Sequence, residues 1–581
     1  MKLTQALRIN NAARNSAKGV TVFLATGFTP LSLPQFLAAH LSLRMDHCRV
    51  DVSTGIFGDL AGNIQRMAQS QADFGTVCIE WDDLDPRLGV RRLSAITWRD
   101  FPEMLAQVRR SKENLTSLLS AAADKVRVAV SLPHLPIPAL SYSPSHLMSE
   151  FEAELSLIAA EMQLELARIK TVRVLRNNFS TSCLDLSATF YSGFPYTVEH
   201  ASALAESLAK ALMPASPKKG IIVDLDDTLW KGILGDDGVS GVYWDLDHQA
   251  QHYGLFQRFL HALAAEGTLV AIATKNSPEV VKEIFESRSD LLLKDESVFP
   301  FEVHWGPKSE SVTRILQTWN ISADAVVFVD DSPLELAEVQ AAHPSLSCMR
   351  FAANDLAQFQ MLLQELREAF AKDKLGKEDA LRAESLRDGA VLFSGTGQKS
   401  DSETLLRDLQ SELTFEAGAG AADERALELV NKTNQFNING KRFAEPFWRR
   451  ALARPGAFLL TCSYKDKLGA LGKIAVIMGV MEARRVLVET WVMSCRAFAR
   501  RIEFACLQQL FEVFRAEQVV LQYQRTSRNN PVYEMLVTLG LSPSENGEVV
   551  ITKEHFHSRV APLYHTVAVK NSKRPGVATH V

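Results

Sequence analysis

Three short apolar runs, each ending at an oxygen-bearing side chain, constrain this chain more than any other feature. Residues 221–223 run into Asp224, 268–273 into Thr274, and 325–329 into Asp330. Runs this short and this apolar read as parallel strands buried on both faces. Helical stretches such as 278–287 and 310–319 lie between them. The pattern is a doubly wound α/β sheet, whose ligand sites lie at the carboxyl ends of the strands. Those ends share one edge, so the three side chains are expected at one place.

The first run is followed by Asp224-Leu225-Asp226-Asp227-Thr228. Carboxylates two residues apart lie on one side of an extended chain. Such a pair can divide labour, one attacking while the other moves protons. Neighbouring carboxylates also repel and need a cation, and hard oxygen ligands favour Mg²⁺. The third run ends in a second acidic pair, Asp330-Asp331. A phosphoryl group in such a cup needs positive charge and hydrogen bonds, which Lys308 and Thr274 can supply. Fifty residues separate Asp224 from Thr274, and 34 separate Thr274 from Lys308. Either interval holds a strand–helix unit or a flap and not a covering domain, so an open site is expected, completed by a partner protein or a neighbouring domain.

Length and composition bound the rest. A chain of 581 residues with 46% apolar and 23% charged residues is an ordinary globular chain of several domains. Its net charge of −5 disfavours nucleic-acid binding through bulk charge. Seven irregularly spaced cysteines form no CxxC pair, which fits a reducing compartment, the cytoplasm. The longest uncharged run, 19–43, contains Pro30, Pro34, Gln35 and His40 and does not read as a spanning helix. The first 45 residues carry five basic groups and no acidic one, a pattern that fits a transit peptide or a plain basic first helix.

Three regions are expected. Residues 1–215 carry apolar runs at 20–25, 75–79 and 126–132 and read as α/β. Residues 216–375 hold the acidic strand ends. Residues 376–410 form a charged linker whose 395–400 stretch lacks the glycine and preceding strand of a phosphate loop. Residues 411–570 show strands near 475–479, 485–493 and 519–523 with a helix over 497–516, an α+β pattern. Residues 571–581 are a basic tail.

Asp224-Leu-Asp-Asp-Thr228, Thr274, Lys308 and Asp330-Asp331 resemble motifs one to four of the haloacid dehalogenase superfamily. The resemblance implies a Rossmann-like domain without a large cap. Asp224 would be the nucleophile forming an aspartyl-phosphate and Asp226 the general acid/base. Thr274 would bind a phosphoryl oxygen, and Lys308 would neutralise charge. Asp330 would hold Mg²⁺ with Asp224 and the backbone carbonyl of Asp226. Asp331 is either a secondary ligand or a helix cap. Thr228, Lys275 and Asn276 would face the substrate or a carrier.

The stretches 224–238 (DLDDTLWKGILGDDG), 305–308 (WGPK), 329–335 (VDDSPLE), 432–437 (KTNQFN) and 490–496 (TWVMSCR) resemble the FkbH-like subfamily. This implies an enzyme that dephosphorylates a 1,3-bisphosphoglycerate-like acyl phosphate. The glyceryl group would pass to the phosphopantetheine thiol of an acyl carrier protein in polyketide or related biosynthesis.

The third region resembles an N-acetyltransferase-like (GNAT) fold, with Ala499 and Arg501 where two glycines would hold a pyrophosphate. Arg496, Arg500 and Arg501 either contact a carrier's phosphopantetheine phosphate or are solvated residues at a helix start. Cys495 is either an acyl-thioester thiol or a small core residue. Asn434, Gln435 and Asn437 either orient a ligand or tie a loop. The first region resembles an SGNH-hydrolase-like domain, with Thr26-Gly27-Phe28 where the nucleophilic serine motif would stand, so a docking or structural role is expected there. A stand-alone phosphatase of a small phosphoester and a non-enzymatic scaffold are the competing readings.

Overall fold

The computed structural model describes the chain apart from residues 46, 91–95, 138–143, 145, 177–182, 373–406, 408–409, 419–422, 434, 468, 495–496, 499, 527, 562 and 572–581. The expected linker, apart from Arg407, Gln410 and its stretch 395–400 included, and the basic tail after Asn571 therefore lie outside the described residues. The chain separates into two compact units, Met1–Ala215 and Ser216–Val581.

The first unit is built on five parallel strands: β1 (Gly19–Thr26), β2 (Arg49–Thr54), β3 (Phe74–Cys78), β4 (Arg127–Ser131) and β5 (Val172–Val174). Their order is β2-β1-β3-β4-β5. The three apolar runs became β1, β3 and β4. β2 and β5 are edge strands with mostly half-buried or exposed residues, so they carry no apolar run to read.

The second unit opens with another parallel sheet: β6 (Gly220–Val223), β7 (Leu269–Thr274), β8 (Phe301–Val303), β9 (Val326–Asp330) and β10 (Ser347–Arg350). The order is β10-β9-β6-β7-β8. Alternate residues of β6 point to opposite faces. Ile221 and Val223 pack with Phe256 and Phe351, whereas Ile222 packs with Trp319 and Phe328. Both faces are thus covered by helices, which is why the run is apolar throughout. β6 starts at a glycine because a Cβ there would stand 2.6 Å from the Trp319 ring. After β8 the chain crosses back over β6 to form β9. The switch in winding direction falls between β6 and β9, where such sheets hold their ligands.

The rest of the unit is an eight-stranded mixed sheet: β11 (Glu412–Ala417), β12 (Phe436–Asn437), β13 (Ala457–Asp466), β14 (Gly469–Glu482), β15 (Arg485–Met493), β16 (Gln518–Gln524), β17 (Asn546–Thr552) and β18 (Thr566–Asn571). Its order is β17-β16-β15-β14-β13-β11-β18, with β12 beside β15. The expected strand 475–479 is the middle of a much longer one, β14. The expected helix 497–516 is shorter, Ile502–Val513, because Arg501 adopts a left-handed φ of 59° that cannot continue a helix. Among the described residues, no helix is long and apolar enough to cross a membrane, and no disulfide joins the described cysteines.

Candidate active site

β6, β7 and β9 are neighbours, and all three end on one edge. Asp224 follows β6, and its amide donates to the Val329 carbonyl of β9 (3.1 Å). Asp330 is the last residue of β9, and Thr274 the last of β7. Lys308 opens the helix Lys308–Trp319. Its ammonium lies 2.9 Å from Asp224 Oδ2 and 2.6 Å from Asp330 Oδ2. Asp224, Lys308 and Asp330 are 6%, 4% and 0% exposed, so these charges have little water and must balance one another. Asp330 Oδ1 accepts from the Ser332 amide (2.9 Å).

One ammonium does not neutralise this cup. Burial pushes the Asp224 carboxyl up to about 7, with Lys308 opposing and Asp330 adding to the rise. Half-buried Asp331 is pushed up to about 6 by burial and by the carboxylates of Asp330 and Asp227. Burial by itself would lower the Lys308 pKa, but Asp224 and Asp330 reverse that and hold it above the ordinary lysine range. Carboxylate oxygens of Asp224, Asp330 and Asp331 all lie within 4.8 Å of one another. An excess of negative charge on convergent hard oxygens is a donor set that fits a divalent cation of the Mg²⁺ type.

Asp226 is held separately. Its Oδ1 accepts from Trp230 Nε1 (3.2 Å) and the Leu234 amide (2.9 Å). Its Oδ2 accepts from Asn276 Nδ2 (2.9 Å), which also donates to Thr274 Oγ1 (3.0 Å). A tight turn makes this possible. Asp227 has a φ of 48°, and its carboxylate accepts from the Gly232 amide (3.0 Å). The clamp ties the strand-end residues of β6 and β7 together. Sequence reasoning gave Trp230 no role; the available signal was a tryptophan four residues after the acid, since a buried indole N–H seeks an acceptor. Between Asp224 and Thr274 the chain forms a small flap, closed by a bridge between Lys231 and Tyr243, and one long helix, Gln251–Ala265.

The remaining predicted residues divide. Lys275 pairs with Glu335. Thr228 is fully buried, and its hydroxyl has no hydrogen-bond partner among the described residues. Cys495, Arg496 and Asn434 lie outside the described residues. Arg500 is not the solvated residue of a helix start: it is 7% exposed, its Nε is 3.8 Å from Asp466 Oδ2, and its guanidinium sits 5.5 Å from the Tyr464 ring centroid.

Asn437 ties a loop. Its Oδ1 accepts from the Gly440 amide (2.9 Å), and its carbonyl accepts from Asn529 Nδ2 (3.1 Å). This loop lies where β15 and β16 part. The two strands pair only over Arg485–Val488 and Gln518–Leu521. Beyond that point Asn439 Nδ2 bridges the Glu489 and Gln522 carbonyls (2.9 and 3.0 Å). The Ile438 backbone bonds to Trp491 on one side and Gln524 on the other.

The third region also touches the central sheet. Lys219 Nζ, just before β6, donates to the Lys432 carbonyl, and Arg528 pairs with Asp324 (2.9 Å), just before β9. Both contacts are at the amino ends of strands, about 13 Å of β6 away from Asp224. They do not supply the covering expected of a neighbouring domain.

In the first unit Thr26, where a nucleophile would stand, is buried and donates its hydroxyl to the Phe28 carbonyl (2.7 Å). Beyond β3 and β4 lies a buried chain that the sequence did not reveal. Tyr196 OH donates to Glu80 Oε1 (2.7 Å), His134 Nδ1 is 3.2 Å from the same oxygen, and His134 Nε2 is 2.8 Å from His200 Nε2.

Comparison with solved structures finds a similar fold in the N-terminal part of BF1531 from Bacteroides fragilis, a protein containing a phosphatase domain and crystallised with Mg. The identity is 18% and the TM-score 0.51, over 64% of this chain and all of that one. A protein from Corynebacterium glutamicum is aligned over 27% of this chain and 98% of its own at 16% identity, but with a TM-score of 0.19. Neither the family profiles nor the curated proteins give a match.

Proposed function

We propose that the chain is a Mg²⁺-dependent phosphatase of the haloacid dehalogenase type, working through an aspartyl-phosphate. The observation that carries this is Lys308 held between Asp224 and Asp330 on one sheet edge. Asp224 would attack phosphorus, forming an O–P bond as the bond to the leaving group breaks. Asp226 would give a proton to the leaving group and later take one from the water that hydrolyses the intermediate. Thr274 would donate to a phosphoryl oxygen, and Asn276 would keep Asp226 beside it. Asp224, Asp330, the backbone carbonyl of Asp226 and, from the outer side, Asp331 would hold Mg²⁺, whose charge offsets that of the phosphoryl oxygens. The BF1531 structure with Mg supports this choice of ion.

The finer reading follows the FkbH-like resemblance. The substrate would be an acyl phosphate of the 1,3-bisphosphoglycerate type. A phosphopantetheine thiol on an acyl carrier protein would take the phosphoglyceryl group as a thioester while the 1-phosphate leaves, and Asp224 would then take the 3-phosphate, which water releases, leaving the glyceryl thioester. Incubation with 1,3-bisphosphoglycerate, Mg²⁺ and a holo carrier protein, followed by weighing the carrier, tests it. A mass gain of one glyceryl group, absent in Asp224→Asn, is expected. Phosphate release with no mass gain would leave the stand-alone phosphatase. That second reading is favoured by the contacts of the third region, which lie at the edge opposite Asp224. Phosphate release unchanged in Asp224→Asn would leave only the scaffold.

A further inference from the structure

The Lys275–Glu335 pair occupies an unusual place. Lys275 follows β7 by one residue, and Glu335 lies in the first turn of the helix Pro333–Ala342 that follows β9. β7 and β9 are not neighbours, because β6 runs between them. The 2.7 Å contact from Lys275 Nζ to Glu335 Oε1 therefore crosses the carboxyl end of β6, where Asp224 stands. It spans two strand spacings, about 10 Å, using two long side chains.

Structure alone gives little reason for such a pair. The lysine side chain is 36% exposed, and ion pairs this accessible stabilise a fold weakly. Among the described residues Glu335 Oε2 is buried with no hydrogen-bond partner, a cost a purely structural strut would not need. Glu335 also adds a carboxylate to the sheet edge that carries Asp224, Asp226, Asp227, Asp330 and Asp331. Lys308 is committed to two of those carboxylates. Among the described residues Lys275 has one partner, in a half-open setting, and can change it.

We propose that Lys275 and Glu335 form an exchangeable clasp across the mouth of the site. Lys275 leaves Glu335 to bind a second anionic group, a carboxylate or a phosphate, on the phosphorylated substrate. Glu335 is a positioning residue that keeps the ammonium over Asp224 until that group arrives. This rests on the phosphatase reading above and adds a specificity element to it: the site selects molecules bearing an anion besides the phosphoryl group that is transferred.

Three compounds with three-carbon skeletons separate the cases: 3-phosphoglycerate (second group a carboxylate), propane-1,3-diol bisphosphate (a phosphate) and glycerol 3-phosphate (none). KM and kcat for phosphate release are measured with the full chain and Mg²⁺. The unaltered protein should show a KM at least tenfold lower for one or both two-anion compounds, and which of them shows it identifies the second group. Lys275→Gln should raise KM for that compound at least tenfold more than for glycerol 3-phosphate. Glu335→Gln, which removes the competing carboxylate, should lower it severalfold. Opposite effects of the two substitutions are the signature, because a structural strut is weakened by losing either end. Parallel losses on all three compounds, or no preference in the unaltered protein, overturn the clasp. If no compound releases phosphate, the phosphatase reading fails. The clasp is then judged by equilibrium binding of the same compounds to the Mg²⁺-loaded protein, where the same ordering supports it and a flat response overturns it.

Discussion

Lys308 makes its two ion pairs almost out of contact with water, and such an arrangement is costly to break. Removing one member of a buried ionic group leaves the rest uncompensated, typically at about 3–5 kcal/mol. Lys308→Met should therefore lower the stability of the second unit by that order in urea titrations without Mg²⁺, and less with saturating Mg²⁺, which replaces the missing charge. An equal loss with and without the ion would argue against a cation site at Asp224, Asp330 and Asp331. Asn276 acts at the same scale. It gives Asp226 one of three donors, and a hydrogen bond to a charged group contributes about 1.5–3 kcal/mol. Asn276→Ala should lower kcat roughly ten- to hundredfold with little change in the melting temperature. A drop in melting temperature that accounts for the lost activity would make Asn276 a packing residue. The acids and the lysine were legible in the sequence because their chemistry is carried by residue type. The clamp was not, because Trp230 and Asn276 owe their roles to the angle of the Asp227 turn.

Elements with an apolar run were legible, and those without one were not. β6, β7 and β9 lie inside the sheet and are buried on both faces. β8 and β10 lie at its edges with half-buried residues, which no hydrophobic pattern marks. The segments after β3 and β4 carry Glu80 and His134, the helix Val198–Leu212 carries His200, and the pH dependence of this chain belongs to these elements. Burial pushes His200 down to about 4, with His134 adding to the drop, and burial lowers His134 as well. Histidines kept neutral by the fold contribute stability that is present above about pH 6.5 and lost as pH falls toward 4. Burial pushes Glu80 up to about 8, against its hydrogen bonds from Tyr196 and the 134–135 backbone. A carboxyl held protonated by the fold contributes stability that is present below about pH 4.5 and lost as pH rises toward 8. The two oppose between 4.5 and 6.5, and Glu80 acts alone from 6.5 to 8. Thermal melting of the full chain should show His200→Gln flattening the acid limb and Glu80→Gln the alkaline limb. Limbs unchanged in both variants would mean that other groups set the profile.

The two units each carry a hydrophobic core of their own. A chain of residues 1–215 should therefore unfold cooperatively by itself, followed by circular dichroism; a non-cooperative melt would make the units interdependent. Within the second unit, Arg528–Asp324 is a partly exposed pair. Arg528→Ala should cost at most about 1 kcal/mol and leave phosphate release unchanged, since the contact lies at the amino edge of the sheet. A large loss of activity would show that the third region reaches the site by another route.

Local chemistry determined which residues can attack, move protons, bind a cation and form the strands that carry them, because residue type and the period of burial are properties of the chain itself. Tertiary structure decided the rest. Strand order put β6 between β7 and β9, so that Lys275 meets Glu335 across the end of β6, and it set the contacts of the third region at the far edge of the sheet. Those outcomes depend on which strands become neighbours, and neighbours across a sheet are chosen by packing of the whole layer, on which the spacing of residues along the chain has no hold.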